Sequence, residues 1–142
     1  MPTKAKPPTP LCKTCVICRQ FAEHPETKEP VLIGLPQGFM APHYPAAYDL
    51  WLFARVASTH GDYRIQVQLQ NVGGDVVWQG GPQEDWSMPN PMGTYDLKLQ
   101  LLPVFPCPSK YDLVLLANGD EVARQSFETQ LAVETPAEDC SR

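Results

Sequence analysis

Residues 48–69 read YDLWLFARVASTHGDYRIQVQL, in which two largely apolar runs flank a short polar connection. In the second run, residues 63–69, apolar side chains occupy the odd positions and polar ones the even positions. This alternation is typical of a strand with one buried and one solvated face. The first run, residues 48–56, is apolar on both parities and indicates an interior strand. Because the connection at residues 58–62 has hairpin length and contains a glycine, we predict that the two runs pair as an antiparallel hairpin.

Similar short runs lie on both sides of this hairpin. We predict further strands at residues 12–22, 31–35, 76–78, 94–102, 111–116 and 121–131. The last two are joined by Asn118-Gly119, a strong hairpin signal because both positions tolerate a positive φ. Sixteen prolines oppose helix formation. The pattern predicts an all-β fold without substantial helix, an antiparallel immunoglobulin-like β-sandwich of seven or eight short strands.

Composition and length indicate one domain. The chain has 142 residues, of which 43% are apolar, and this is enough for a single hydrophobic core. We predict a flexible Pro-rich arm at residues 1–11, the β-sandwich domain at residues 12–132 and a disordered acidic tail at residues 133–142. The arm lacks the apolar segment of a secretory signal. No apolar run approaches the ~20 residues of a transmembrane helix.

Charge and cysteine content restrict the partners and the compartment. The formal net charge is −5, and the 11 Lys and Arg residues are scattered, so no basic stripe for nucleic acid is present. Five cysteines without an export signal are typical of a reducing compartment in which the thiols stay free. We therefore predict a cytoplasmic protein with neither a nucleic-acid nor a membrane partner.

The order of these elements resembles a family of small, uncharacterised bacterial β-sandwich proteins that is classed as a domain of unknown function. The residues that carry the resemblance are Cys18, Lys28, Leu32-Ile33-Gly34, the prolines between residues 36 and 45, the hairpin at 50–69 and Asn118-Gly119-Asp120. The resemblance covers about residues 12–132. This chain departs from the family by Glu29-Pro30 after the lysine and by its three closely spaced cysteines. The resemblance implies the fold but no activity.

Cys12, Cys15 and Cys18 form the most prominent motif, with a spacing of three residues. One interpretation is a zinc or iron–sulfur site, or a redox site, with Cys107 or His24 as a fourth ligand. The other is three thiols in the first strand, because residues three apart in an extended chain are separated by about 10 Å. In that case Cys12 and Cys18 face one way and Cys15 faces the other.

The histidines give no catalytic pattern. His24, His43 and His60 each lie in a predicted loop, beside proline or glycine. Ser58, His60 and Asp62 share one turn, where side chains this close in sequence are poorly placed to relay a proton. No predicted helix provides a nucleophile elbow. We therefore predict that the protein is not an enzyme and needs no cofactor.

Two predicted loops, at residues 36–47 and 83–93, are unusually apolar for connections. They contain Phe39, Met40, His43, Tyr44, Trp86, Met88 and Met92. The loops either close the ends of the core and cover Trp51 and Phe53, or expose a partner-binding surface of Phe39, Met40, Tyr44, Trp86 and Met88, since aromatic and Met side chains dominate interface cores. The second interpretation predicts a non-enzymatic interaction or structural module whose partner is another protein or a second copy of the chain.

Overall fold

The computed structural model describes residues 7–82 and 85–132, and within these ranges the fold is all-β. The strands in chain order are β1 (Leu11–Cys18), β2 (Gln20–Glu23), β3 (Pro30–Ile33), β4 (Gly38–Ala41), β5 (Ala46–Ala47), β6 (Leu50–Ala57), β7 (Gly61–Tyr63), β8 (Ile65–Gln70), β9 (Val76–Gly80), β10 (Trp86–Met88), β11 (Thr94–Leu101), β12 (Val104–Phe105), β13 (Lys110–Ala117) and β14 (Asp120–Leu131). Across these ranges no helix is long and apolar enough to cross a membrane.

Two main sheets contain the long strands. The three-stranded sheet has the order β1-β6-β11 and is antiparallel, and the five-stranded sheet has the order β4-β14-β13-β8-β9. Strand β4 pairs with β14 in parallel, so the prediction of a purely antiparallel fold is wrong. Gly38 permits this pairing, because a Cβ at that position would overlap the backbone carbonyl of Glu128.

The predicted central hairpin is wrong, although both of its strands exist. Strand β6 pairs with β1 and β11 in one sheet, while β8 pairs with β13 and β9 in the other. Between them the chain turns at Ser58, which has a φ of 58°. It then forms β7, which pairs with β10. The alternation specified each strand and its buried face, but a pattern within one strand carries no information about its partner.

One core lies between these two sheets and is built from the inward residues of both. The alternation predicted for β8 is confirmed, since Ile65, Val67 and Leu69 are buried and the glutamines between them are half-buried. The other core residues on the main strands include Leu50, Leu52, Ala54, Val56, Leu97, Leu99, Leu101, Leu113, Leu115 and Phe127. At one edge Gln125 of β14 donates a hydrogen bond to the carbonyl of Cys15 in β1 at 2.9 Å, which ties the two sheets together.

Several predicted boundaries change. The predicted first strand divides at Arg19 into β1 and β2, and β2 forms the expected hairpin with β3. The hairpin at Asn118-Gly119 is confirmed, with φ values of 51° and 85°. The predicted loops contain the short strands β4, β5 and β10. Pro10 of the predicted arm is buried, whereas residues 1–6 and the predicted tail at 133–142 lie outside the described residues.

Candidate functional site

The five residues predicted to bind a partner do not form one exposed surface. Phe39, Tyr44 and Trp86 are half-buried against the core, and Met88 is fully buried. Tyr44 also donates a 2.6 Å hydrogen bond to a backbone carbonyl of β14. Met40 alone among the five is exposed, to 60%. Four of these side chains therefore close the core, and Met40 remains for contact with a partner.

Trp51 and Phe53 are covered by a neighbouring ribbon and not by either predicted loop. The ring of Phe21 on β2 lies 5.7 Å from that of Trp51 and 6.2 Å from that of Phe53. The ammonium group of Lys98 sits 5.3 Å from the centre of the Phe21 ring. The prediction that a proline-rich loop covers this face is wrong, because the β2–β3 hairpin folds back over it.

The three clustered cysteines do not share a face. An irregularity in the pairing of β1 with β6 occurs between Cys12 and Thr14. The extra residue shifts the parity of the strand. Cys12 and Cys15 therefore lie opposite core-facing residues of β6, whereas Cys18 lies opposite Trp51 on the other face. The predicted arrangement, with Cys15 opposed to the other two, is wrong for this reason.

The environment of these thiols keeps them protonated. Burial raises the pKa of Cys12, Cys15 and Cys18, and for Cys15 burial together with the nearby Cys12 raises it to about 12. A thiol with a raised pKa is a poor nucleophile and a poor metal ligand at neutral pH. Cys107 is disulfide-bonded, so the expectation that its thiol is free is wrong. In the described part of the chain no three His, Cys, Asp or Glu side chains are grouped to hold a metal ion.

Two of the histidines make contacts that organise turns. The Nδ1 atom of His24 accepts hydrogen bonds from the amides of Glu26 and Thr27 at 3.2 and 3.3 Å. His60 Nδ1 lies 3.0 Å from the carbonyl oxygen of Pro89. These contacts hold the two rings against backbone groups of loops.

A concave surface that the sequence analysis did not predict runs along β14. Three cavities of about 620, 270 and 200 Å³ share Gln37 as a common lining residue. We call this surface the β14 groove. The residues of β14 that line it are Arg124, Gln125, Ser126, Phe127, Glu128 and Gln130. The other lining residues come from β1, the β3–β4 connection, β4, β13 and a turn after β8, so only the folded chain brings them together.

In the β14 groove, Arg124 forms ion pairs with two nearby carboxylates. Arg124 donates hydrogen bonds to the carboxylates of Asp112 at 2.7 Å and Glu121 at 2.8 Å. These contacts raise the pKa of Arg124 further above its usual range. Ser126 donates to the same Asp112 at 3.2 Å. The Ser126 hydroxyl therefore donates to a carboxylate that is already bound to arginine.

Each of the three cavities also has one strongly exposed apolar side chain. Val72 lines the largest and is 79% exposed, Met40 lines the second and is 60% exposed, and Leu35 lines the third and is 64% exposed. Exposed apolar groups around a polar concavity are typical of a contact surface. The β14 groove is therefore the best candidate for a functional site in the described structure.

Comparison with protein-family models gives no match, and comparison with curated proteins gives no relative. The resemblance to small bacterial β-sandwich proteins therefore stays a prediction.

Proposed function

We propose that this protein is a non-enzymatic β-sandwich module of immunoglobulin-like type that acts by binding another protein. We further propose that the β14 groove receives an extended peptide segment of that partner. The observation that carries this proposal is that one groove combines polar β14 side chains with three exposed apolar side chains. Peptide grooves combine these two components, because apolar contacts supply affinity and polar contacts fix the register.

The dimensions of the groove support an extended ligand. From Arg124 to Gln130 the strand advances about 20 Å, which is the length of roughly six extended residues. Strand β4 forms the adjacent edge of the five-stranded sheet and has β14 as its strand neighbour. A peptide that lies over β14 would therefore contact both strands at this edge of the sheet, Met40 from β4 and Glu128 from β14.

The charges that line the groove are balanced and do not select a charged peptide. Arg124 is neutralised by Asp112 and Glu121. Lys110 and Glu128 line the same cavity and lie directly opposite each other on β13 and β14. We therefore expect a peptide whose apolar side chains contact Met40 and Val72 and whose polar groups bond to the polar side chains of β14.

The predicted cytoplasmic location is a separate proposal. The disulfide at Cys107 is more typical of an oxidising compartment. Mass-spectrometric mapping of thiols that are alkylated inside intact cells tests the location directly. If the protein is cytoplasmic, Cys107 should be labelled quantitatively without reductant. Protection of Cys107 from labelling would indicate that the protein lies in an oxidising compartment.

Selection of peptides from a random display library on the immobilised protein tests the proposed groove. We expect the enriched peptides to share apolar residues at a regular spacing. Calorimetry then measures the affinity of one such peptide for the wild type and for Leu35→Ser, Met40→Ser and Met92→Ser. Met92 is a matched control, because it is 91% exposed but does not line the groove. Leu35→Ser and Met40→Ser should weaken binding while Met92→Ser leaves it unchanged. Equal binding by all four proteins, or no enrichment, would reject the groove as a peptide site.

A further inference from the structure

Strand β11 is a long and regular edge that has one strand neighbour in the described chain. It runs for eight residues and pairs with β6 from Thr94 to Leu101 without a bulge. Edge strands are usually protected by bulges, prolines, short length or charged side chains, especially lysine. Strand β11 contains no proline or bulge, but it carries Asp96 and Lys98. These charges oppose most incoming strands, but not a strand that places an acid opposite Lys98 and a base opposite Asp96.

We propose that β11 pairs antiparallel with the same strand of a second copy, so that two three-stranded sheets join into one of six strands. The occupant is a second copy because the side chains of β11 complement themselves. This proposal specifies one partner for the proposed interaction function, but it uses the sheet opposite the β14 groove. The experiments can therefore confirm or reject dimer formation and peptide binding independently.

The side-chain pattern selects one register. Pairing must keep the core-facing residues on one side, because a shift by one residue would turn Leu97 and Leu99 to solvent. Placing Leu97 on the two-fold axis satisfies this condition and sets Asp96 opposite Lys98 of the other copy, twice in each dimer. A shift by two residues in either direction would instead set Asp96 opposite Asp96 or Lys98 opposite Lys98. Opposite charges across a strand pair stabilise it, and like charges destabilise it.

Exposed apolar side chains flank β11 at both ends. Met92 is 91% exposed in the turn before the strand, where the amide of Gly93 donates a hydrogen bond to the carbonyl of Asn90. Leu102 follows the strand and is 57% exposed. In an antiparallel pair the start of one β11 lies beside the end of the other, so Met92 of one copy and Leu102 of the other would lie at the same end of the pair and lose exposed apolar surface.

The ion pairs already present fit this arrangement. Asp96 receives hydrogen bonds from Arg55 on β6, and Lys98 contacts Glu23 on β2 at 3.1 Å. Both charges stay partly accessible in the single chain, since 29% of the Asp96 side chain and 37% of the Lys98 side chain are exposed. In the dimer, Asp96 would lie between Arg55 of its own chain and Lys98 of the second copy.

Sedimentation velocity of the full chain over a series of concentrations, with reductant present, tests the proposal. We expect a monomer–dimer equilibrium for the wild type. Asp96→Lys and Lys98→Asp should each weaken the homodimer by about tenfold, because each creates two like-charge pairs. An equimolar mixture of the two variants should restore dimers, because every pair is then opposite in charge. Circular dichroism melts confirm that each variant is folded before mixing.

Two further variants separate this proposal from the peptide groove. Met92→Ser should weaken the dimer and leave peptide binding unchanged, whereas Met40→Ser should do the reverse. A wild type that stays monomeric at every concentration would overturn the proposal. So would a dimer that is insensitive to the charge variants, or a mixture that fails to recover dimers.

Discussion

Arg55 and Asp96 join β6 to β11 through a two-pronged ion pair. Arg55 Nε and Nη2 donate to the two carboxylate oxygens of Asp96 at 2.8 and 3.1 Å. The hydrogen bonds from Arg55 are the main cause of the lowered pKa of Asp96. A planar guanidinium matches a carboxylate in this geometry, so the pair fixes the register between the central strand and the edge strand of the three-stranded sheet.

This ion pair should make stability depend on acid pH. The pKa of Asp96 is lower in the folded chain than in the unfolded chain, so its contribution is present above the unfolded value of about 3.9 and is lost as pH falls through the folded value. We expect Asp96→Asn to cost about 0.5–1 kcal/mol of unfolding free energy at pH 7, since the pair is partly exposed. Urea titrations at pH 7 and pH 2.5 measure the difference. A cost at pH 2.5 as large as that at pH 7 would contradict the assignment.

Gly80 is required by the ring of Trp78. A Cβ at Gly80 would penetrate the six-membered ring of Trp78, which packs against the core. We expect Gly80→Ala to lower the free energy of unfolding by about 1–3 kcal/mol, because the ring must move to a poorer position. Gly73→Ala is the matched control, because the nearest atom to its Cβ would lie at 3.5 Å. Chemical denaturation of both variants checks this, and equal stabilities would show that Trp78 does not need the space.

Asn118 holds the last hairpin against the start of β8. It has a φ of 51°, and its side-chain oxygen accepts a 2.9 Å hydrogen bond from the amide of Arg64. We expect Asn118→Ala to destabilise by about 1–2 kcal/mol, through backbone strain and a lost hydrogen bond. Asn118→Gly removes the side-chain hydrogen bonds with Arg64 and Asp62 but causes no backbone strain, and should cost less. Thermal melts of both variants measure these losses of stability. Equal losses in the two variants would show that backbone strain contributes nothing.

The clustered thiols should react only when the chain unfolds. Burial raises the pKa of Cys12, Cys15 and Cys18, so the thiolate needed for alkylation is scarce at pH 8. We expect iodoacetamide to label these three slowly in the folded protein and rapidly in urea, while Cys107 stays unlabelled without reductant. Peptide mass mapping gives the rates. Fast labelling of Cys15 in the folded state would show that its environment is more open than the structure indicates.

The same thiols should also weaken the fold at alkaline pH. For Cys15 the folded pKa of about 12 lies above the value of about 8.5 in an unfolded chain. The stabilising contribution is therefore fully present below pH 8.5 and decreases as pH rises above it. Cys15→Ala should flatten this dependence in denaturation experiments between pH 7 and pH 10. If the unfolding free energy of Cys15→Ala falls with pH as steeply as that of the wild type, groups other than Cys15 cause the alkaline loss of stability.

Local signals in the sequence were sufficient for individual strands but not for their pairing. The alternation of β8 and the Asn118-Gly119 turn concern neighbouring residues, and the structure confirms both. The partner of β6 depends on contacts between residues far apart in the chain, which one strand's pattern does not encode. The irregularity after Cys12 carries no glycine signal, so the faces of the three cysteines were predicted wrongly.

The candidate site was missed for the same physical reason. Leu35 ends a predicted strand, Met40 lies in a segment predicted to be a loop, and Val72 lies in a distant turn, yet all three line cavities along β14. The alternating polar positions of β14 were visible in the sequence, but they look like an ordinary solvated face. Only the tertiary structure shows that this face is concave and has exposed apolar side chains along it.

Amide chemical shifts of the ¹⁵N-labelled protein, followed during titration with a peptide selected on it, test the peptide-binding proposal most directly. We expect saturable shifts confined to β4, residues 124–130 of β14 and the turn around Val72, with the β11 amides unchanged. Saturable shifts centred elsewhere, with those of β14 and β4 unmoved, would contradict the assignment of the β14 groove as the binding site.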